Sequence, residues 1–234
     1  MKAPTVIVQA RNSSVRFPNK MVNLLGDNLI IEWVLKRLIR AKAVGSIILA
    51  TTENKCDEIL IEIGLALNLN VFTGSEVDVL DRFERAANCY SAETVIRVCA
   101  DNPFVDPDEI DRLVENFNHS KCDYAFNHLN RLNSGYADGF GAEILSKDSL
   151  DRITKIATGA DHREHVTKYI WDNPCEFSIF PVIAPDALRF PNMRFDVDSP
   201  KDLEYLRILV SNGVTIETKS ADIIRKARGL NAKI

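Results

Sequence analysis

Thr5-Val6-Ile7-Val8-Gln9 runs directly into Ala10-Arg11-Asn12-Ser13-Ser14-Val15-Arg16-Phe17-Pro18-Asn19-Lys20. A short apolar run that ends in polar residues reads as a buried strand delivering a loop to one rim of a sheet. The loop carries Arg11, Arg16 and Lys20 with serine hydroxyls between them. Cations and hydroxyls at that density can neutralise and hydrogen-bond phosphate oxygens from several directions. A solvated basic turn has the same residue types, so both readings stand at this point. Neither G-x-G-x-x-G nor G-x-x-x-x-G-K-[ST] follows the strand, which excludes the dinucleotide fingerprint and the P-loop. Phosphate held here is held by side chains as well as backbone N–H groups.

Outward from this loop, strand and helix signals alternate. Asn28 is placed to cap a helix with Ile31, Val34, Leu35 and Leu38 on one face. Ser46 to Thr51 reads as a buried strand, followed by a helix through Ile59, Ile63 and Leu67, a strand from Asn70 to Thr73, and a helix with Leu80, Phe83, Ala87 and Tyr90 on one face. Thr94 to Val98 is a fourth strand, and Pro107 opens the next helix at a position that favours proline. This alternation predicts an α/β fold: a mostly parallel sheet with helices on both faces and its ligand site beyond the carboxyl ends of the strands. From 124 to 191 the rhythm changes, with strand-like pieces at Tyr124 to Asn127, Gly141 to Leu145 and Phe177 to Val182, and helices near Asp148 to Ile156 and Arg163 to Trp171. This segment reads as an α+β insertion carrying acceptor contacts, a subunit interface, or both. With no repeat and no Gly-, Pro- or Ser-rich linker, the 234 residues are expected to form one domain.

A 46% hydrophobic content can fill a core without staples. The formal charge of −4, from 29 basic and 33 acidic residues, argues against a general nucleic-acid or anionic-membrane binder, so phosphate affinity must be local. Cys56, Cys89, Cys99, Cys122 and Cys175 are odd in number, widely spaced and lack C-x-x-C, as expected of reduced thiols in a cytoplasmic protein. No apolar run approaches the roughly 20 residues of a membrane helix, and no leader is expected ahead of the first strand.

Acidic residues gather at the same rim. Asp101 follows the fourth strand and precedes Pro103, and Asp196 and Asp198 lie two apart on an extended segment, which places them on one side of it. One or two carboxylates with phosphate oxygens suit Mg²⁺ on a nucleotide. A turn cap at Asp101 and a cap at Asp198 for the helix beginning at Pro200 are the structural alternatives. His162 and His165 are three apart on the expected helix, a weak metal signal without further ligands; a capping role is favoured for His162, and His165 is either an acceptor contact or a structural hydrogen bond. Cys99 reads as packing.

Ala10-Arg11-x-x-Ser14-x-Arg16-x-Pro18-x-Lys20, Asp101-x-Pro103, Arg163-Glu164-His165-Val166-Thr167 and Asp196-Val197-Asp198-Ser199-Pro200-x-Asp202-Leu203 together resemble the CMP-sugar synthetase family of cytidylyltransferases. The likeness is greatest to its spore-coat polysaccharide branch, related to the acylneuraminate and CMP-KDO synthetases. The resemblance implies a Rossmann-like, GT-A-like nucleotidyltransferase fold and a homodimer. It implies a CTP site at Ala10, Arg11, Ser13, Ser14, Arg16, Lys20, Arg82 and Asp101, with Arg11, Lys20 and Asp101 catalytic and Arg82 reading the base. Mg²⁺ would be held by Asp101 and Asp198, helped by Asp196. Acceptor contacts would fall at Asp138, Glu143, Arg163, Glu164 and His165, and the acceptor would be an acidic 2-keto-3-deoxy sugar of nonulosonate type, for surface glycans. An anionic acceptor needs cations outside the triphosphate loop, for which Arg131 and Arg163 are available. The family loop usually has glycine at the positions of Ser13 and Asn19, and Thr-Gly rather than Cys99-Ala100 before the aspartate; Ser13 would crowd a closely approaching phosphate. Two rival functions remain: a nucleotide-sugar glycosyltransferase, since Asp196-Val197-Asp198 is a D-x-D, and a nucleotide-binding pseudoenzyme.

Overall fold

The computed structural model describes residues 2–14 and 16–231. In chain order the strands are β1 (Thr5–Gln9), β2 (Leu24–Leu25), β3 (Asn28–Leu29), β4 (Ser46–Thr52), β5 (Asn70–Gly74), β6 (Thr94–Cys99), β7 (Tyr124–Phe126), β8 (Glu143–Ser146) and β9 (Ile179–Pro181). The α-helices are α1 (Ile30–Leu38), α2 (Glu58–Ala66), α3 (Val79–Cys89), α4 (Pro107–Ser120), α5 (Lys147–Ile156), α6 (Ala160–Glu164), α7 (Lys168–Asp172), α8 (Pro200–Ser211) and α9 (Ser220–Asn231).

One sheet in the order β5-β4-β1-β6-β8-β7-β9 organises the molecule. β5, β4, β1 and β6 are mutually parallel, β9 is parallel to β7, and β8 runs against both of its neighbours. Alternation along β1 sends Val6 and Val8 into one hydrophobic layer and Ile7 into the other. The first layer packs α1, α4, α8 and α9 against the sheet, and the second packs α3, α5 and α7. The expected parallel α/β sheet with helices on both faces is therefore present. The segment 124–191 is not set apart from it: β7, β8 and β9 extend the same sheet.

The connections leave β1 toward β4 and β5 on one side and return to β6 on the other, so the strand order reverses between β1 and β6. In open α/β sheets ligands sit in the crevice at such a reversal. The loop after β1 and Asp101 after β6 both lie there.

Several local expectations are corrected. Asn28 does not cap α1; it pairs in a two-stranded hairpin with Leu25, and Glu32 reaches back to accept the Leu29 N–H at 2.8 Å. α2 buries Leu60 and Gly64 and leaves Ile59 40% exposed, because the chain at Gly64 closes onto Leu49 and Val71. The helix expected over Arg163 to Trp171 is two helices broken at His165–Thr167, where Val166 enters the core and the Thr167 hydroxyl donates to Glu143 at 2.7 Å. All five cysteines are free thiols. Among the described residues no helix is long and apolar enough to cross a membrane.

Candidate active site

A cleft of about 400 Å³ opens at the β1/β6 reversal. Ala10, Arg11, Ser14, Arg16, Lys20, Arg82 and Asp101 all line it, as do Glu164 and His165. Most of the expected nucleotide residues thus share one cavity although they are spread over two loops and a helix.

The loop after β1 is folded back on itself, with the Asn19 N–H donating to the Asn12 carbonyl at 2.9 Å. Asn19 sits at φ 56°, the left-handed region that asparagine tolerates, so the loop makes this turn without glycine. Ser13 has no positive φ; its hydroxyl turns away from the cleft and donates to Glu76. Ser13 therefore does not crowd the cavity it was expected to line. The Asn12 N–H donates to Asp57 at 2.7 Å, anchoring the loop to the segment that follows β4.

Lys20 is buried, and its ammonium donates to the Val197 carbonyl at 2.7 Å and to Asp101 at 3.1 Å, with Asp198 at 4.0 Å. Asp101 and Asp198, 97 positions apart, thereby converge on one cation. Asp198 is free to do so because Ser199, with Asp202, caps α8. Arg16 pairs with Asp198 at 3.2 Å. Asp196 does not join this pair: Arg194 takes both of its oxygens. Among the described residues no three acidic, histidine or cysteine side chains converge on one point. Two carboxylates beside an open cationic cleft nevertheless fit a Mg²⁺ that draws its remaining oxygens from phosphate and water.

Arg11 is held by two carboxylates from separate segments, Glu76 at 3.8 Å and Glu164 at 3.5 Å, and also donates to the Glu76 carbonyl at 3.2 Å. Hydrogen bonds from Ser13 and Asn54 hold the Glu76 carboxyl below its usual range. Arg82 is buried at the foot of α3, donates to the Ser75 carbonyl at 2.6 Å, and keeps its Nε–H without a partner. Burial, then the neighbouring Arg11 charge, bring it down to about 10, so it remains a cation at neutral pH.

The acceptor set is divided. Arg163 is spent as a brace: Nε and Nη2 donate to Asp78 at 2.9 and 2.7 Å, and Nη1 to the Thr154 carbonyl at 2.9 Å. Glu164 faces Arg11, and His165, largely exposed, lies 3.6 Å from Asp161. Glu143 is buried, paired with Arg97 and accepting from Tyr124 and Thr167. Although burial opposes its charge, Arg97, His128 and these hydrogen bonds hold it at about 2. Asp138 does not line the cleft but packs beside Asp196; burial, then the Asp196 charge, push its carboxyl up to about 7. His162 caps nothing: Gly159 is the N-cap of α6, and His162 bonds Asp172 of α7 at 2.8 Å. Burial pushes the Cys99 thiol up to about 12, so it lines the cleft as an inert wall.

Sequence reading missed Gln9, Glu76 and Arg97. Arg97 had a signal, a charge inside the apolar run Thr94 to Val98; it stands opposite Glu143 in the β6–β8 register and donates to Gln9 at 3.1 Å. Glu76 had none, being one acid in an acidic loop.

A basic crevice at the β1/β6 reversal, with two acids set on its lysine, defines a nucleotidyltransferase of α/β type. The family model described as cytidylyltransferase matches residues 5–225, and the chain belongs to that family of CTP-using enzymes. An uncharacterised protein of Methanocaldococcus jannaschii is 38% identical over 86% of this chain and 81% of its own length. The spore coat polysaccharide biosynthesis protein SpsF of Bacillus subtilis is 31% identical over 87% of this chain and 84% of its own. A cytidylyltransferase structure from Leptospira borgpetersenii superposes with a TM-score of 0.91 at 26% identity, covering 99% of this chain and 96% of that one. A CMP:2-keto-3-deoxy-manno-octonic acid synthetase complexed with CTP shares the fold, with a TM-score of 0.65 at 16% identity over 90% of this chain and all of that one. Membership in this family sets aside the glycosyltransferase reading of the D-x-D, whose first aspartate is in any case engaged by Arg194.

Proposed function

We propose that the protein transfers CMP from CTP to a hydroxyl of an acidic 2-keto-3-deoxy sugar, of nonulosonate type, for surface polysaccharide synthesis, with Mg²⁺ as cofactor. The observation that carries this reading is the pair Asp101 and Asp198 set about Lys20 at the mouth of a cleft that also holds Arg11, Arg16 and Arg82.

The acceptor oxygen attacks the α-phosphorus in line, the bond from that phosphorus to the bridging oxygen breaks, pyrophosphate leaves, and the hydroxyl proton passes to water. No covalent enzyme intermediate is required. Catalysis then rests on positioning and electrostatics. Arg11, Arg16 and Lys20 would stabilise the charge that grows on the departing pyrophosphate, and Arg82, fixed by Ser75 and lining the cleft, would read the base. Mg²⁺, when bound, polarises the α-phosphate and offsets its charge, and Asp101 and Asp198 would hold it. Glu76 and Glu164 occupy Arg11 where phosphate oxygens would replace them.

The test is pyrophosphate release from CTP with Mg²⁺ over a panel of 2-keto-3-deoxy acids and neutral sugars. Release with acids alone, and not with UTP, supports the reading; CTP binding without release from any acceptor would instead favour a pseudoenzyme. Homodimerisation belongs to the same reading. Leu132 and Ile183, 57% and 48% exposed on the 124–191 segment, are suited to a subunit contact, and light scattering should give twice the chain mass of 26.3 kDa.

A further inference from the structure

Asp57 stands immediately ahead of α2, the position from which an aspartate ordinarily accepts the first free N–H groups of its helix. Its carboxylate makes no such bond. It is wholly buried and turns the other way, with Oδ1 taking the Asn12 N–H at 2.7 Å and Oδ2 taking the Thr52 hydroxyl. Burying a carboxylate and leaving the helix end uncapped both cost stability, so the diversion has to be accounted for. Asn12 lies 45 positions earlier and is buried as well. Its N–H goes to Asp57, its carbonyl accepts the Asn19 N–H at 2.9 Å, and its side-chain amide donates to the Cys56 carbonyl at 2.8 Å. Neither Asp57 nor Asn12 lines the cleft, yet the residues around this junction do. Arg11 directly precedes Asn12, Ser14 is two positions after it, and Lys20 directly follows Asn19.

We propose that Asp57 is a positioning residue for the phosphate end of the nucleotide: by holding the Asn12 N–H it fixes the turn from which Arg11, Ser14 and Lys20 reach the cleft. The proposal rests on the reading of the cleft as a CTP site and adds to it a residue that touches no ligand. A loop ordered only when its ligand arrives loses affinity to that ordering, whereas a loop held beforehand keeps it. The bond is to a backbone N–H, so it sets the course of the chain on both sides of Asn12 rather than the direction of one side chain. Without the carboxylate that N–H is left buried and unpaired, and the turn must shift to satisfy it. Asparagine at position 57 retains an oxygen for the Asn12 N–H and can donate its amide to the Thr52 hydroxyl, so it preserves the turn. Alanine offers neither group.

The experiment is titration calorimetry in Mg²⁺ buffer on wild type, Asp57→Ala and Asp57→Asn, with CTP, ATP, CMP and tripolyphosphate as ligands and Tm recorded for each protein. Asp57→Ala should bind CTP and tripolyphosphate on the order of 10- to 100-fold more weakly than wild type. Its affinity for CMP, which lacks the phosphates that the loop would hold, should change much less, and Asp57→Asn should recover most of the loss. A residue that only stabilises the fold would lower Tm and leave the affinities of the folded protein unchanged; that outcome overturns the proposal. So does an equal loss for CTP and CMP, or an Asp57→Asn as weak as Asp57→Ala. If Asp57→Ala does not fold, hydrogen exchange at the Asn12 amide of ligand-free wild type decides: the N–H should be protected, and exchange at the rate of an open loop overturns the proposal. Asp57-dependent binding of tripolyphosphate by a wild type that does not prefer CTP to ATP supports the positioning role and counts against the CTP reading alone. Undiminished CTP binding by Asp57→Ala overturns the positioning role and leaves the CTP site intact, and a wild type that binds none of the four ligands overturns both.

Discussion

Lys20 shows how the surroundings of one side chain compensate its charge. A buried ammonium is costly unless paired, and here a carbonyl and two carboxylates compensate it. Removing a charge contact of this kind from a reacting phosphate commonly costs about 10²- to 10³-fold in rate. Lys20→Ala should lower kcat for pyrophosphate release by that amount while retaining the wild-type circular dichroism spectrum; near-normal turnover would take Lys20 out of the mechanism. Asp138 makes a different residue-scale claim. Its folded carboxyl titrates at about 7, above the ordinary carboxylate range near 4. Between those values the folded state holds a proton that the unfolded state has released, so stability falls as pH rises through this window. In metal-free buffer Asp138→Asn should therefore gain Tm relative to wild type as pH goes from 5 to 8, and a constant difference across that range would contradict the assignment. At this scale the motifs were enough to single out Arg11, Lys20, Asp101 and Asp198, which the fold brings together. It was unreadable where the neighbour decides the role. Arg163 and Glu164 are adjacent in one motif, yet the first braces α3 to α5 through Asp78 and Thr154 while the second faces Arg11.

Periodicity located the strands and helices of the first half because each buries one clear face. On α2 it placed Ile63 and Leu67 against the core but also Ile59, which is exposed, because the helix rolls toward Leu60 and toward Gly64, a residue with no hydropathy to signal it. It also fused α6 and α7, since Val166 and Thr167 sustain a helical pattern while their side chains leave it for the core and for Glu143. The entry to β8 is the tightest element-scale constraint. An added Cβ at Gly141 would stand 2.2 Å from the Asn127 carbonyl oxygen and 2.3 Å from its amide oxygen. Those atoms belong to backbone and to a side chain locked by bonds to Ala142 and Glu109, so neither can give cheaply. Gly141→Ala should lower Tm by roughly 2 to 12 °C, from a packing cost of about 1–3 kcal/mol. Gly229→Ala, on α9 with open space around it, should leave Tm unchanged or raise it. Equal effects in the two variants would show that the close approach at Gly141 is not real.

Across the whole molecule the arrangement follows from where the strand order turns. The acidic chain gathers Arg11, Arg16, Lys20 and Arg82 in one crevice between β1 and β6, and the segment from 124 to 191 extends the same sheet to bring Glu143 opposite Arg97. The parallel half was legible because β-α alternation dictates it. The antiparallel β8 was not, since nothing local distinguishes a strand that reverses direction. The central claim is that this crevice is a CTP site completed by Mg²⁺ on Asp101 and Asp198. Thermal unfolding with CTP, UTP, ATP and GTP, each with and without Mg²⁺, on wild type and Asp101→Asn, tests it most directly. A ligand at 100 times its Kd adds about 2.7 kcal/mol, a shift on the order of 5 to 10 °C for a chain of this size. CTP with Mg²⁺ should give that shift, the other nucleotides should not, and Asp101→Asn should lose the magnesium-dependent part. No shift with any nucleotide, or an equal shift with all four, would contradict the account.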